Sequence, residues 1–222
     1  MPVRSLRSAA LFVGFLLATS APAQTPAAAE RFRLGTGLAE RGLPEEASKE
    51  FEAFLKESPR DAQVPEAWYR LGACRAELGR TEPAIEAFEK ALKSGGQAFA
   101  LRPECRYRLG LAYRAAGRNA DAAKVAELVA AESREGHYLA AAALFLAGEA
   151  WRDAGKPEAA ETAFLAAAEA DASADAKYAA PALYAAGFVA LDAARFAPAA
   201  ERFALVFKRA PNHEAAPEAR YL

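Results

Sequence analysis

From about residue 30 to residue 211, small and apolar residues fall at helical spacing in blocks that return in one frame. Five glycines in similar company mark it: Leu34-Gly35, Leu71-Gly72, Leu109-Gly110, Ala147-Gly148 and Ala186-Gly187, separated in turn by 37, 38, 38 and 39 residues. Seven residues after each of the first four stands a second glycine, Gly42, Gly79, Gly117 or Gly155, and the fifth block has Ala194 there. Five residues further on is an alanine every time: Ala47, Ala84, Ala122, Ala160 and Ala199. Four beyond that is Phe51, Phe88, Ala126, Phe164 or Phe203. Residues four apart share a helix face, so the alanine and the aromatic belong to one buried stripe.

Each mark predicts an element. The first glycine falls inside a helix, where it costs about 1 kcal/mol relative to alanine. A cost taken five times predicts that another helix approaches too closely to leave room for a Cβ, with the alanine twelve residues later as the facing half of the contact. The second glycine ends the first helix in a left-handed C′ conformation. A second helix then starts, with Pro44 and Pro157 in its first turn, where the missing N–H is not needed. The chain is therefore predicted to be all-α, with about five antiparallel helical hairpins near residues 29–60, 65–97, 103–133, 138–171 and 177–211, in one repeat domain over 29–213.

The unit Glu66-Ala67-Trp68-Tyr69-Arg70-Leu71-Gly72, continued by Gly79, Ala84, Phe88 and Ala91, resembles the tetratricopeptide repeat at every signature position but one, a tyrosine replaced by Arg75. Leu34, Gly35, Gly42, Ala47, Phe51 and Pro59 extend the likeness to the first unit, and Leu109, Gly110, Tyr113, Gly117 and Ala122 to the third. Gly148, Trp151, Gly155, Ala160, Phe164 and Ala167 carry it into the fourth, and Gly187, Ala199, Phe203 and Pro211 into the fifth. The resemblance implies a right-handed superhelical solenoid whose concave groove is bordered by the first helix of each hairpin. The units run longer than the family's usual length of about 34 residues, which predicts extra turns at Lys93–Ala98, Arg134–Tyr138 and Ala172–Lys177. The proline-rich lead-ins Pro59–Ala67 and Pro211–Ala219 are alike. This style resembles repeats of bacterial envelope proteins, the β-barrel-assembly lipoproteins and the Tol–Pal-associated periplasmic coordinators, without the lipidation cysteine of the first or the N-terminal coiled coil of the second. Residues 214–222 read as the opening of a sixth, truncated unit, so the natural protein is expected to continue.

The N-terminus departs from the frame. Arg4 and Arg7 precede an apolar run, Ala9–Thr19, and then the small residues Ala21-Pro22-Ala23, in the order of a secretory signal peptide over 1–23. The run is shorter than the roughly 20 residues that span a bilayer. Cleavage after Ala23, export to the periplasm or beyond, and a mature chain without a membrane span are expected, with a short disordered leader over 24–28. With 28 basic against 29 acidic residues there is no excess of charge to neutralise phosphates, which argues against nucleic acid as a partner. Cys74 and Cys105 sit about seven residues out of register on neighbouring first helices, roughly 10 Å of axial rise. A disulfide allows about 7 Å between Cα atoms, so both are read as small buried hydrophobes, with a bridge between them as the alternative.

Phosphate loops, nucleophile elbows and metal-ligand spacings are missing from the sequence. The expectation is a non-catalytic chain with no cofactor and no bound metal. His137 and His213 fall between hairpins, and acidic pairs such as Glu45-Glu46 complement helix N-termini. A ladder does stand out. Three residues before each frame glycine is an aromatic, Phe32, Tyr69, Tyr107, Phe145 or Tyr184, and next to it stand Arg33, Arg70 and Arg108, then Leu146 and Ala185. The resemblance places these residues along the concave groove, where aromatics and arginine are the types enriched in binding hot spots; a packing role for the aromatics explains them as well. Thr36, Ala73 and Leu111 stand where chaperone-binding relatives clamp a C-terminal carboxylate with asparagine and lysine, which argues against that ligand. The expected function is a protein–protein interaction scaffold of the cell envelope holding a protein or peptide in its groove. A spacer or oligomerisation segment of a longer protein, and the non-catalytic arm of an enzyme encoded further on, fit the same residues.

Overall fold

A computed structural model of the chain describes residues 26–132, 138–171 and 177–222; the expected signal peptide and most of the second and third expected extra turns lie outside them. Ten of the described helices pair into five hairpins: α1 (Pro26–Glu40) with α2 (Pro44–Glu57), α3 (Val64–Glu77) with α4 (Thr81–Gly95), α5 (Arg102–Ala115) with α6 (Asn119–Glu132), α7 (Tyr138–Asp153) with α8 (Pro157–Ala170), and α9 (Ala179–Asp192) with α10 (Phe196–Arg209). A short α11 (Ala216–Ala219) follows, and one 3-10 turn, Gly96–Ala98, lies within the first expected insertion. Each helix packs on the next, within a hairpin and from one hairpin to its neighbour, as in a solenoid. The start of α1 corrects one expectation: Pro26–Ala28 is helical and Ala28 is buried, so the later part of the expected leader belongs to the stack.

The second glycine of each unit does what the sequence requires. Gly42, Gly79, Gly117 and Gly155 all have φ between +70° and +73°. Each donates its N–H to the carbonyl three residues back, while the next residue donates to the carbonyl five back, as in Leu43 N–H to Leu38 O at 3.0 Å and Lys156 N–H to Trp151 O at 2.9 Å. This is the Schellman closure of a helix end. Ala194 makes the same pair of bonds at φ +56°, the one left-handed residue other than glycine among those described. The left-handed region costs an L-residue about 1–2 kcal/mol, against about 0.4–1 kcal/mol that alanine saves by restricting the unfolded chain. Ala194→Gly should therefore raise stability by a few tenths to about 1 kcal/mol, read as a higher melting temperature. A lower one would mean that the Ala194 methyl makes a packing contact worth more than the strain.

The first glycine faces an aromatic ring, which corrects the expected pairing with the alanine. A Cβ on Gly72 would lie 2.7 Å from Phe88 Cδ1, and one on Gly148 2.5 Å from Phe164 Cδ1; Gly35 and Gly187 meet Phe51 and Phe203 in the same way. The alanines Ala47, Ala84, Ala122, Ala160 and Ala199 are themselves buried in the seam. In the third unit, where Ala126 replaces the ring, the space is filled from the next hairpin: Leu146 Cδ2 is the nearest atom to a Cβ on Gly110, at 3.2 Å, followed by the Ala122 carbonyl oxygen at 3.5 Å.

Hairpins are also joined by a recurring hydrogen bond. The residue three after the frame glycine donates to a glutamate on the second helix of the preceding hairpin: Arg75 Nη2 to Glu52 Oε1 at 3.0 Å, Tyr113 OH to Glu89 Oε1 at 2.5 Å, and Trp151 Nε1 to Glu127 Oε1 at 2.6 Å. Arg75, the departure from the family signature, thus keeps the function of the tyrosine it replaces. At the fourth junction those positions are Leu165 and Ala190, and buried Glu161 binds two arginines of the next unit instead, Arg195 Nη2 at 2.5 Å and Arg202 Nη2 at 2.7 Å. Burial and the Glu89 bond push the Tyr113 phenol from 10.0 up to about 12. A phenol whose folded pKa exceeds its unfolded one contributes stability that is fully present below the unfolded value and is lost as pH rises through the folded one. Wild-type stability should accordingly fall between pH 10 and about 12, and Tyr113→Phe should flatten that limb. Identical alkaline limbs in the two proteins would remove Tyr113 from the account.

The like lead-ins fold alike. Asp61 N–H bonds Ser58 O at 3.1 Å and His213 N–H bonds Ala210 O at 3.0 Å. The next turn is closed by Gln63 N–H to Asp61 Oδ1 at 2.8 Å, and by Ala215 N–H to His213 Nδ1 at 3.1 Å. The histidine ring nitrogen therefore accepts where a carboxylate does in the first copy. Both cysteines are free and buried, and desolvation pushes the Cys105 thiol up to about 12. At the ends of the stack, positions that interior units bury are open: Leu34 is 50% exposed where Leu71 and Leu109 are covered, and Phe207 is 46% exposed where Leu55 and Ala168 are covered.

Candidate partner-binding groove

The first helices α3, α5, α7 and α9 present the same frame positions toward one inner face, because the frame glycine fixes their rotation against the rings behind them. The aromatic ladder lies at the foot of that face. Phe32 is buried, with its ring edge-on to Phe51 at 5.9 Å and to Phe54 at 5.5 Å. Tyr69 packs on Phe88 at 6.1 Å, Phe145 on Phe164 at 5.6 Å and Tyr184 on Phe203 at 5.7 Å, each ring against the second helix of its own hairpin. Tyr107, whose hairpin has Ala126 there, packs beside Val129, Leu139 and Ala143, and burial pushes its phenol pKa up.

Residues from the long inter-hairpin turns add a second layer. Phe99 lies edge-on over Tyr69 at 6.5 Å, and Tyr178 lies over Phe145 at 6.2 Å. Phe99 reaches back because Gly95 carries no side chain: a Cβ there would lie 2.6 Å from Phe99 Cβ. The extra length of these units thus brings aromatic cover to the ladder, a packing role that periodicity alone did not assign.

The arginines tie successive rungs. Arg108 Nε donates to Tyr69 OH at 3.0 Å with its guanidinium 5.8 Å from the ring centre, and Arg70 lies 5.8 Å from the Phe32 ring while its Nη2 pairs with Glu66 at 2.6 Å. Arg33 is exposed and bonds its own helix at Ala29 O, 3.4 Å away. Leu146, at the same position in the fourth unit, turns inward over Gly110, while Ala185 leaves its place open.

Among the described residues, two clefts open where neighbouring first helices meet, and they are built from the same frame. One, of about 210 Å³, lies between α3 and α5 and is lined by Ala76, Thr81, Arg108, Leu111, Ala112 and Ala115. The other, of about 510 Å³, lies between α7 and α9 and has Arg152, Pro157, Ala185, Phe188, Val189 and Asp192 at the corresponding positions. Leu111 is 42% exposed and Phe188 half-buried. Neither entered the sequence reading of the groove as a contact. The signal was their place one residue after the frame glycine, where the first and fourth units carry Thr36 and Glu149.

Stacked helical hairpins around a shared inner face define a protein-interaction module. The sequence profile of the tetratricopeptide repeat matches residues 32–99, 78–136 and 107–176, and the chain belongs to that family. Solved structures share the fold. MamA from Desulfovibrio magneticus RS-1, from its residue 41 to the end, is 24% identical with a TM-score of 0.66 over 84% of this chain and 96% of that one. YrrB, described as a TPR protein with an unusual peptide-binding site, is 21% identical with a TM-score of 0.67 over 88% and 92%. A kinesin light chain from Podosopora anserina with nearly identical TPR-like repeats is 15% identical with a TM-score of 0.63 over 86% and 96%. No curated protein matches the chain significantly.

Proposed function

We propose that the chain is an exported, non-catalytic scaffold of the bacterial cell envelope that captures a segment of a partner protein along the inner face of its hairpins. The observation that carries this reading is the pair of inner-face clefts, one with Leu111 exposed and the other lined by half-buried Phe188, on a face that a solvated spacer would line with charge. Export rests on the order of basic, apolar and small residues over 1–23. The spacer role has one observation of its own, the internal packing of the ladder rings.

A photo-crosslinking residue at Leu111 should yield a partner adduct in cells, and one at exposed Lys124 on α6 should not. Adducts from neither position, or equally from both, favour the spacer. Mature protein recovered from the periplasm should begin at Gln24 by intact mass. Retention of Met1–Ala23 would overturn the export reading and leave the groove untouched.

A further inference from the structure

The clefts recur, but not at every junction. Between the α3–α5 and α7–α9 clefts lies the α5–α7 junction, with Arg114, Asn119, Leu146, Glu149, Ala150 and Asp153 at the cleft positions. Leu146 is drawn inward, and Arg114 bridges the opening: its Nη1 lies 2.7 Å from Glu149 Oε2 and its Nε 3.1 Å from Asp153 Oδ2. Along the inner face the surface therefore runs apolar, ionic, apolar. Charged side chains flank both openings, Arg108 at the first cleft and Arg152 with Asp192 at the second.

Resting on the groove reading above, we infer that the ligand is an extended peptide segment with two large apolar side chains about six residues apart, one seated in each cleft, and with polar residues crossing Arg114 between them. The spacing follows from geometry. Two junctions amount to about 20 Å at helix spacings of roughly 10 Å, and an extended chain covers that in about six residues at about 3.3 Å each. The ionic step favours an extended segment because its backbone N–H and C=O groups are free to meet Glu149, Asp153 and Arg114, whereas a helix satisfies its own.

The frame supplies variants that keep the fold, because each introduces a residue another unit already carries at the same position. Leu111→Glu and Phe188→Glu copy Glu149, Glu149→Leu copies Leu111, and Arg114→Ala copies Ala39 and Ala76. A phage-displayed random peptide library selected against the full chain should yield sequences with two apolar positions about six residues apart. Leu111→Glu and Phe188→Glu should each weaken their binding by about tenfold or more, the worth of one buried apolar side chain. Arg114→Ala combined with Glu149→Leu should open a third cleft and admit peptides whose anchors are about three residues apart, the span of one junction. Peptides blocked by both cleft variants but carrying one anchor, a helical pattern or no fixed spacing overturn the two-anchor inference and leave the groove reading standing. So does an Arg114→Ala, Glu149→Leu protein with unchanged spacing preference. Peptides indifferent to both cleft variants, or no selected peptide at all, overturn the groove reading and this inference with it.

Discussion

Gly148→Ala is expected to destabilise the protein by about 1–3 kcal/mol, the cost of forcing volume into a packed contact, while Gly110→Ala is expected to be neutral or stabilising. Both glycines hold the same place in the frame, so helix propensity predicts the same gain of about 1 kcal/mol for each. Their surroundings decide the sign. A Cβ on Gly148 would lie 2.5 Å from Phe164 Cδ1 and 2.6 Å from Cε1, and that ring is fully buried behind Phe145. It has no free volume to move into, since interiors are packed to crystal density. At Gly110 the nearest atom is a leucine methyl at 3.2 Å, the end of a side chain that gives by a few tenths of an ångström. Denaturant melts of the two variants separate the cases, and hydrogen exchange in α7 and α8 should rise first in Gly148→Ala, because each repeat is held by its neighbours. Equal shifts in both variants would mean that the ring is not what excludes a side chain at this position.

Glu161→Ala should cost about 3 kcal/mol, the lower end for breaking a buried ion pair. The Glu161 side chain is 8% exposed and meets Arg195 at 2.5 Å and Arg202 at 2.7 Å. Arg195, 41% exposed, can turn to solvent, whereas Arg202 at 16% remains between helices with its Nη1 on Pro198 O at 2.8 Å. Removing the carboxylate therefore leaves one cation poorly solvated. The double variant Glu161→Ile with Arg202→Val should recover most of the loss, because it copies Ile85 and Val125, which hold those frame positions at the α4–α6 junction. Replacing a buried pair with apolar groups of suitable shape is commonly neutral or stabilising. A double variant as unstable as Glu161→Ala would show that the junctions are not interchangeable, and that the charges set the angle between the last two hairpins.

The all-helical hairpin architecture and the left-handed closures were legible in the order of residues, because each rests on local chemistry. Glycine at C′, proline in a first turn and a four-residue apolar stripe carry their meaning within one or two turns of chain, and even Ala194 occupies the conformation its place in the frame demands. The repeat pattern sets neighbours by position, and Phe32, Tyr69, Phe145 and Tyr184 each meet a ring of their own second helix.

What faced each glycine was decided only in three dimensions. Residues sixteen positions apart met as glycine and ring, and where Ala126 left a gap it was filled by Leu146 from the following hairpin, a partner that no single unit specifies. Tertiary structure likewise turned Arg75 into the donor of a conserved-geometry bond to Glu52, gave the loop aromatics Phe99 and Tyr178 to the ladder, and closed one cleft of the inner face with Arg114 while leaving two open. Local signals prescribe where a helix ends, since the groups involved lie within hydrogen-bonding reach along the chain. Which side chains fill the space between helices depends on volume summed over several units, and that sum exists only once the hairpins have stacked.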